Sequence, residues 1–490
     1  MAGGPSDDDA TVLRADLCVV GAGAAGLYTA LCAARAGGRV VLVSATPLAQ
    51  TASYWAQGGL AAALAMEDSP DLHRRDTEAA GRGIVRRTAA NLLCREAPHA
   101  VRELEALGVR FDADRHGNLA LGLEGGHTVR RVVHAGGSAT GRRVVRQLSA
   151  VVAEEPRIEV LEGARAAAAW TDAGRCFGVA LEDGRAVRAR ATVLATGGAA
   201  ALWSRTTNPP GSLGIGMQIA RQAGAALGDL EFVQFHPTAV TGIKGREGFL
   251  ITEAIRGEGA TLHDATGERF VDELAPRDEV SRAIALRMRA QGTTHVDLDM
   301  RQIDPELFPN VVRALCDAGL DPTEHRIPVA PASHYAMGGV VCDLDGGTTV
   351  PGLYAVGETA CTGLHGANRL ASNSLTECFV LGGRAALAGL DEPTGEPGAP
   401  PPHAVAVEVP SWETRHALWT GAGLERDREG LEALTGDAHA LVRLIARCAL
   451  AREESRGAHR RADFPDTDPA LDGHHTVLRD GDRPVFERWA

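Results

Sequence analysis

The spacing of hydrophobic and polar positions changes several times along this chain. Asp16–Val20 (DLCVV) is an apolar run of the length expected for a buried strand. A glycine-rich turn, Gly21-Ala22-Gly23-Ala24-Ala25-Gly26, follows at once, and an Ala/Leu-rich stretch predicts a helix to about Ala36. Gly37-Gly38 ends that helix, and Val40–Val43 reads as the next strand. Strand, turn, helix and strand in this order are the βαβ opening of a Rossmann-type domain. Two later runs, Ala191–Ala195 before Thr196-Gly197-Gly198 and Leu353–Val356 before Gly357-Glu358, read as strands of the same sheet. Between them, from about Leu230 to Tyr335, the pattern is mixed and rich in His, Arg and Glu, which predicts an inserted second domain. Asp391–Pro410 is rich in Pro and Gly and reads as a linker. Beyond it, Leu441, Leu444, Ile445, Cys448 and Ala449 keep the spacing of a one-sided helix, with Gly457 as its expected stop.

Size and composition narrow the class. A chain of 490 residues is long enough for two or three domains. Its 44% hydrophobic and 23% charged residues are ordinary for a globular enzyme. The net charge of −13 argues against nucleic acid or an anionic membrane as the main partner, since both attract basic surfaces. The nine cysteines form no Cys-x-x-Cys pair and no Cys/His cluster, so no metal centre or dithiol motif is expected. Free thiols fit a reducing cytosol. The N-terminal residues through Asp9 lack the basic and apolar regions of a secretory signal, and no apolar run reaches the roughly 18 residues of a spanning helix. The expected location is the cytoplasm.

The first candidate site is the glycine turn. Gly21 permits the tight bend, Gly23 lets the backbone approach a pyrophosphate, and Gly26 allows close helix packing, while Ala22, Ala24 and Ala25 add little bulk. The helix start offers unpaired N–H groups to phosphate. The second strand ends at Ser44-Ala45 rather than at an acidic residue that would bind a ribose, which leaves Ser44 as a weaker candidate contact. The motif alone does not choose between FAD and NAD. The loop Thr51-Ala52-Ser53-Tyr54-Trp55-Ala56-Gln57-Gly58-Gly59, with small residues and two adjacent glycines, could approach a flat ring closely or be an ordinary surface loop.

A set of longer motifs resembles one superfamily. They are Tyr54-Trp55-Ala56-Gln57-Gly58-Gly59, Gln234-Phe235-His236-Pro237-Thr238, Thr252-Glu253-Ala254-Ile255-Arg256-Gly257-Glu258-Gly259 and Ala275-Pro276-Arg277-Asp278. His334-Tyr335 with Gly338-Gly339, His365-Gly366-Ala367-Asn368-Arg369 with Ser372-Asn373-Ser374-Leu375, and Glu454-Ser455-Arg456-Gly457-Ala458-His459 complete the series. Together they resemble the flavoproteins of succinate dehydrogenase and fumarate reductase and, within that superfamily, the L-aspartate oxidases. Two positions choose the branch. The histidine that attaches FAD covalently in the respiratory relatives is replaced by Ala52, which implies non-covalent FAD. The Glu-Gly-Gly-His motif of the aspartate oxidases is present as Glu124-Gly125-Gly126-His127.

The resemblance implies an α/β fold. A Rossmann-type FAD-binding domain over residues 1–229 and 336–390 would be interrupted by an α+β capping domain at 230–335. A Pro/Gly-rich linker at 391–410 and a C-terminal helical domain at 411–490 would follow. It extends the cofactor site to Glu358, Ser374 and Leu375. Two departures remove polar contacts expected near the cofactor: Ile215 stands where the family often has Asp, and Ala45 where it has Lys.

The implied substrate is L-aspartate, which presents two carboxylates and one ammonium. Arg277 and Arg369 can each offer a planar fork of donors to a carboxylate. His236, His334 and the Thr252 hydroxyl can add hydrogen bonds, and Glu124 is the candidate for the ammonium. Each also has a plain alternative: a core histidine, a solvated glutamate, an Arg277–Asp278 surface pair, or a Glu253–Arg256 pair within one helix. The superfamily resemblance also implies a proton-shuttle role for Arg277 and a site role for Arg256. The expected reaction is oxidation of L-aspartate to iminoaspartate, with electrons passed to O2 or fumarate, as the first step of NAD biosynthesis through quinolinate. A quinolinate synthase is the expected partner. The competing readings are a soluble fumarate reductase or succinate dehydrogenase-type flavoprotein, and a flavin-binding protein impaired in catalysis.

Overall fold

The computed structural model describes residues 12–401 and 408–489. The N-terminal segment read for a signal, and residues 402–407 of the expected linker, lie outside the described residues.

Five parallel strands form the central sheet, in the order Leu353–Ala355, Ala191–Leu194, Leu17–Val20, Val40–Ser44, Ile158–Glu162. Both faces are covered over most of the sheet, so four of the strands are buried along their length, while the edge strand Ile158–Glu162 exposes Glu159 and Glu162. Leu17 and Val19 join one core with the helix Ala24–Arg35 and the helix Asn373–Leu390. Cys18 and Val20 point the other way, into a core shared with the sheet built from Ala166–Asp172, Arg175–Leu181 and Ala186–Arg188. The two helices approach closely where Gly382 and Gly383 pass Thr29 and Tyr28, and Tyr28 meets Phe379 edge-on at 5.3 Å.

The chain between Leu230 and Tyr335 builds a separate four-stranded antiparallel sheet, ordered Val233–Val240, Ile327–Ala336, Val296–Asp299, Thr261–His263. Its own apolar cluster includes Val240, Leu262, Ile284, Leu298 and Val329. This unit is seated over the nucleotide-binding sheet by polar contacts at its edge. Gln57 Nε2 donates to the Leu250 carbonyl (2.7 Å), Arg142 Nη2 to Asn310 (3.0 Å), and Gly125 N–H to Glu253 (3.0 Å).

Three helices follow, Trp412–Gly421, Arg428–Leu434 and Ala440–Ala451. The last buries Leu441, Leu444, Ile445, Cys448 and Ala449, the five positions that its spacing marks. It stops at Ala451, earlier than Gly457, because Gly457 is used elsewhere: with φ +55° it closes a later turn where a Cβ would lie 2.5 Å from the Ala367 carbonyl. The tail then adds a hairpin, His474–Leu478 with Val485–Arg488, whose first strand pairs with Leu227–Gly228. No helix among the described residues is long and apolar enough to cross a membrane.

Candidate active site

The glycine turn has the geometry that a bound dinucleotide needs. Gly21 has φ +108°, and a Cβ there would lie 2.3 Å from the Ala195 carbonyl. At Gly26 a Cβ would fall 1.8 Å from the Gly21 carbonyl, so only glycine lets the helix start so close to the strand. The helix Ala24–Arg35 has no acidic residue in its first turn, and Gly23 caps it without a side chain. Its dipole and the first-turn N–H groups beyond Ala24 are therefore left for an anion. Ser53 Oγ accepts the Ala24 N–H at 3.1 Å, which ties the small-residue loop to the same turn. These features fit the diphosphate of FAD.

Other candidate cofactor residues are placed less uniformly. Ala52–Trp55 form one 3-10 turn, Tyr54 is half-buried, and Trp55 is 65% exposed with its ring edge-on to Tyr54. Ser44 is buried, and its hydroxyl donates to the Thr46 carbonyl at 2.5 Å, so its donor is already spent. Ile215 is the first residue of the helix Ile215–Gln222 and packs, half-buried, against the apolar core beside the central sheet, and Ala45 is exposed. Glu358 accepts the Ala336 N–H at 2.9 Å, and burial pushes its carboxyl up to about 7. Ser374 and Leu375 lie in the first turn of the helix Asn373–Leu390, which no side chain caps.

The substrate candidates come from both units. His236 lies on the Val233–Val240 strand between two register shifts, at Gln234/Phe235 and His236/Ala239. Pro237 cannot donate to the ladder there, and such bulges re-aim side chains next to sites. His236 Nδ1 accepts the Thr238 N–H at 3.2 Å, which leaves its proton on Nε2. His334 meets it ring to ring at 5.1 Å and is held through Nδ1 by Thr207 at 2.7 Å. Burial, reinforced by Arg277 and by other cations, keeps both imidazoles well below the usual histidine range, so both are neutral at pH 7.

Arg277 is the first residue of the helix Arg277–Gln291. Its Nε donates to Glu253 (2.5 Å) and its Nη1 to Gln234 (3.1 Å). It does not pair with Asp278, which is buried and bonded by Arg82 at 3.1 and 3.2 Å. Arg369 donates to Ser374 (2.6 Å) and to Gln234 (3.1 Å), lies 4.6 Å over the Tyr335 ring, and keeps Nε without a partner. Burial and the nearby Arg277 bring its guanidinium down to about 10. Thr252 precedes the short helix Glu253–Gly257 and makes no cap bond with its hydroxyl, which remains available.

Glu253 and Arg256 do pair within that helix, at 3.5 Å, but Glu253 also holds Arg277. Burial opposes its charge, yet the two arginines outweigh burial and hold its carboxyl at about 2. Arg256 is fully buried and donates from Nη1 to the Glu273 carbonyl, while its Nε and Nη2 have no hydrogen-bond partner.

Glu124 is not solvated. It is 3% exposed, accepts from the Ser372 hydroxyl at 2.6 Å, and acts electrostatically on Arg369 and Arg256. Reading residues one at a time missed Gln234 and Ser372, although both lie within the motifs. A neutral amide and a hydroxyl carry no charge signal, and their partners are remote in sequence.

Comparison with known proteins identifies the family. A family model described as an FAD binding domain matches residues 16–375, and one described as the fumarate reductase flavoprotein C-terminus matches residues 432–487. An L-aspartate oxidase of Caulobacter vibrioides is 45% identical, over 94% of this chain and 97% of that protein. One from Nostoc is 42% identical over 95% of this chain and 93% of its own length. Among solved structures, E. coli quinol fumarate reductase FrdA superposes with a TM-score of 0.88 at 28% identity, covering 98% of this chain and 97% of that one. The fold is thus shared with fumarate reductase, whereas both of these sequence relatives are L-aspartate oxidases. The chain belongs to the L-aspartate oxidase family of FAD-binding flavoproteins.

Proposed function

We propose that this chain oxidises L-aspartate to iminoaspartate with FAD, and that its charged pocket recognises the substrate as two carboxylates and one ammonium. The family to which it belongs supports the reaction. One observation carries the substrate reading: Glu124 is buried within the field of Arg369 and Arg256 but makes no ion pair with either, whereas Glu253 is already claimed by Arg277 and Arg256.

FAD, when bound, supplies a two-electron acceptor for the hydride leaving Cα. The protein's own groups bind, orient and exclude water. Arg369 and Arg277 hold carboxylates with planar donor forks, and each charge-assisted bond contributes roughly 1.5–3 kcal/mol. The neutral His236 donates from Nε2, while His334 and the Thr252 hydroxyl complete the polar wall. Glu124 accepts from the ammonium and so orients Cα; correct orientation is worth far more than binding alone.

Oxidation of the amine also releases protons. Arg277 touches Glu253, and Glu253 touches Arg256, in a buried row. This row supports a proton-transfer role for Arg277, even though a guanidinium ordinarily stays protonated. Fumarate, which is aspartate without its amine, fits the same two cations and is a natural electron acceptor alongside O2. We place the enzyme in the cytoplasm, supplying a quinolinate synthase with a short-lived imine in the first step of NAD biosynthesis.

The test is turnover of the FAD-loaded protein with L-aspartate and with succinate. Peroxide and oxaloacetate (from imine hydrolysis) formed from L-aspartate are expected, with Glu124→Gln raising KM for L-aspartate. Succinate turnover without aspartate turnover would instead assign a fumarate reductase-type enzyme. Turnover of neither would mark a binding protein.

A further inference from the structure

A carboxylate on a Glu-Gly-Gly-His loop needs an anchor, because two successive glycines give its backbone little stiffness. The contacts around Glu124 identify one. Ser372 Oγ donates to Glu124 Oε2 at 2.6 Å and accepts the Gly59 N–H at 3.1 Å. One hydroxyl thus joins the acidic loop to the Gly58-Gly59 turn. Its donor and one acceptor are both engaged.

The backbone at Ser372 is itself constrained. Its φ is +61°, in the left-handed region that a residue with a side chain occupies only when its surroundings enforce it. Two groups enforce it here. The Ser372 carbonyl accepts the Ala61 N–H at 3.1 Å. One residue earlier, the Ala371 carbonyl accepts from His127 Nε2 at 2.9 Å. His127 can donate there because its Nδ1 accepts from Arg131 Nη1 at 3.1 Å, which fixes the tautomer. Arg131 is fully buried and clamped by Asp68 at 2.8 and 3.0 Å and by Asp76 at 2.5 Å. The last residue of the Glu-Gly-Gly-His motif therefore positions the serine that holds the first.

We infer that Ser372 is a positioning residue for substrate discrimination: it fixes one oxygen of Glu124 and leaves the other, Oε1, to distinguish an amine-bearing dicarboxylate from one without an amine. On the Oε1 side, His134 Nε2 lies 3.9 Å away. Ser372, with its donor spent on Glu124, touches no substrate atom in this scheme and acts only through Glu124. The inference rests on the ammonium-binding role proposed for Glu124.

The test compares Ser372→Ala, Glu124→Gln and the double variant, all loaded with FAD. Ser372→Gly serves as a second form, because glycine accepts a positive φ without strain. KM and kcat for L-aspartate are measured beside calorimetric binding of succinate. Loss of a charge-assisted bond is expected to raise KM for L-aspartate about tenfold in either serine variant. Succinate affinity should stay within about twofold, and Ser372→Ala should add little to Glu124→Gln because the two residues act as one unit. Equal weakening of succinate and L-aspartate would overturn the inference, as would full additivity in the double variant. If Glu124→Gln raises KM and neither serine variant does, only the role of Ser372 fails. If Glu124→Gln leaves L-aspartate unaffected, the ammonium reading itself fails and this inference with it.

Discussion

Arg277 and Arg369, two like-charged side chains in one buried site, share a single acceptor. Gln234 Oε1 lies 3.1 Å from Nη1 of the first and 3.1 Å from Nη2 of the second. The amide nitrogen of Gln234 is anchored in turn by Asn368 and by the Arg369 carbonyl, both at 2.8 Å. A neutral acceptor between two guanidiniums lets them converge on a dianion without neutralising the charge that attracts it.

Gln234→Leu keeps much of the volume and removes the shared acceptor. The arginines then repel with nothing between them, and kcat/KM for L-aspartate should fall about tenfold or more, equivalent to roughly 1.4 kcal/mol. Flavin content should stay at the parental level. Gln234→Glu should instead weaken succinate binding, since the new anion competes for both arginines. Steady-state kinetics and calorimetry read the two effects, and unchanged values in both variants would remove Gln234 from the site.

The glycine cradle separates folding from cofactor binding. A Cβ at Gly23 meets only Ser53 Oγ, at 3.2 Å, and the position needs no positive φ, so Gly23→Ala should fold. The added methyl occupies the space needed for close approach of a diphosphate. The purified variant should lose most of its flavin absorbance on gel filtration while keeping a Tm near that of the flavin-free parent.

Ala52 has no nucleophilic side chain with which to attach the cofactor. Acid precipitation of the holoprotein should leave the yellow flavin in the supernatant. Flavin retained in the washed pellet would require an attachment site elsewhere and would revive the respiratory-type reading.

Stability should fall on acidification in two stages. His236 and His334 sit well below the ordinary value of 6.5 when folded, so below that pH the unfolded chain takes up protons that the folded chain refuses. The loss therefore begins as pH drops below 6.5. Glu253, depressed from 4.5 to about 2, contributes stability that is present above 4.5 and disappears between 4.5 and 2. Tm followed from about pH 7.5 downward should show a shallower first stage in His236→Asn. Glu253→Gln leaves two buried guanidiniums short of a counter-charge and should cost about 3–5 kcal/mol at neutral pH. A His236→Asn profile parallel to the parent's would contradict the assignment of the first stage.

Much of this protein was legible in its sequence. The βαβ opening was readable because strand, turn and helix are set by neighbours a few residues away, and because Gly21 and Gly26 stand where no other residue fits. The last helix was readable from its one-sided spacing, although not its end, since Gly457 is used in a turn against Ala367. The residues of the charged cluster were legible as candidates, and the structure brings Arg277 and Arg369 together at Gln234 and sets His236 beside His334.

The tertiary structure alone decided how these groups are held. Ser44 looked available and has spent its donor on Thr46; Arg277 is followed by an acid but pairs with Glu253. Ser372 meets Glu124 across 248 positions of sequence, and Gln234 meets Arg369 across 135. Local order follows from what each residue's immediate neighbours allow. Which neutral group steadies which charge depends on where distant segments meet in the folded chain, and a linear pattern carries no record of that.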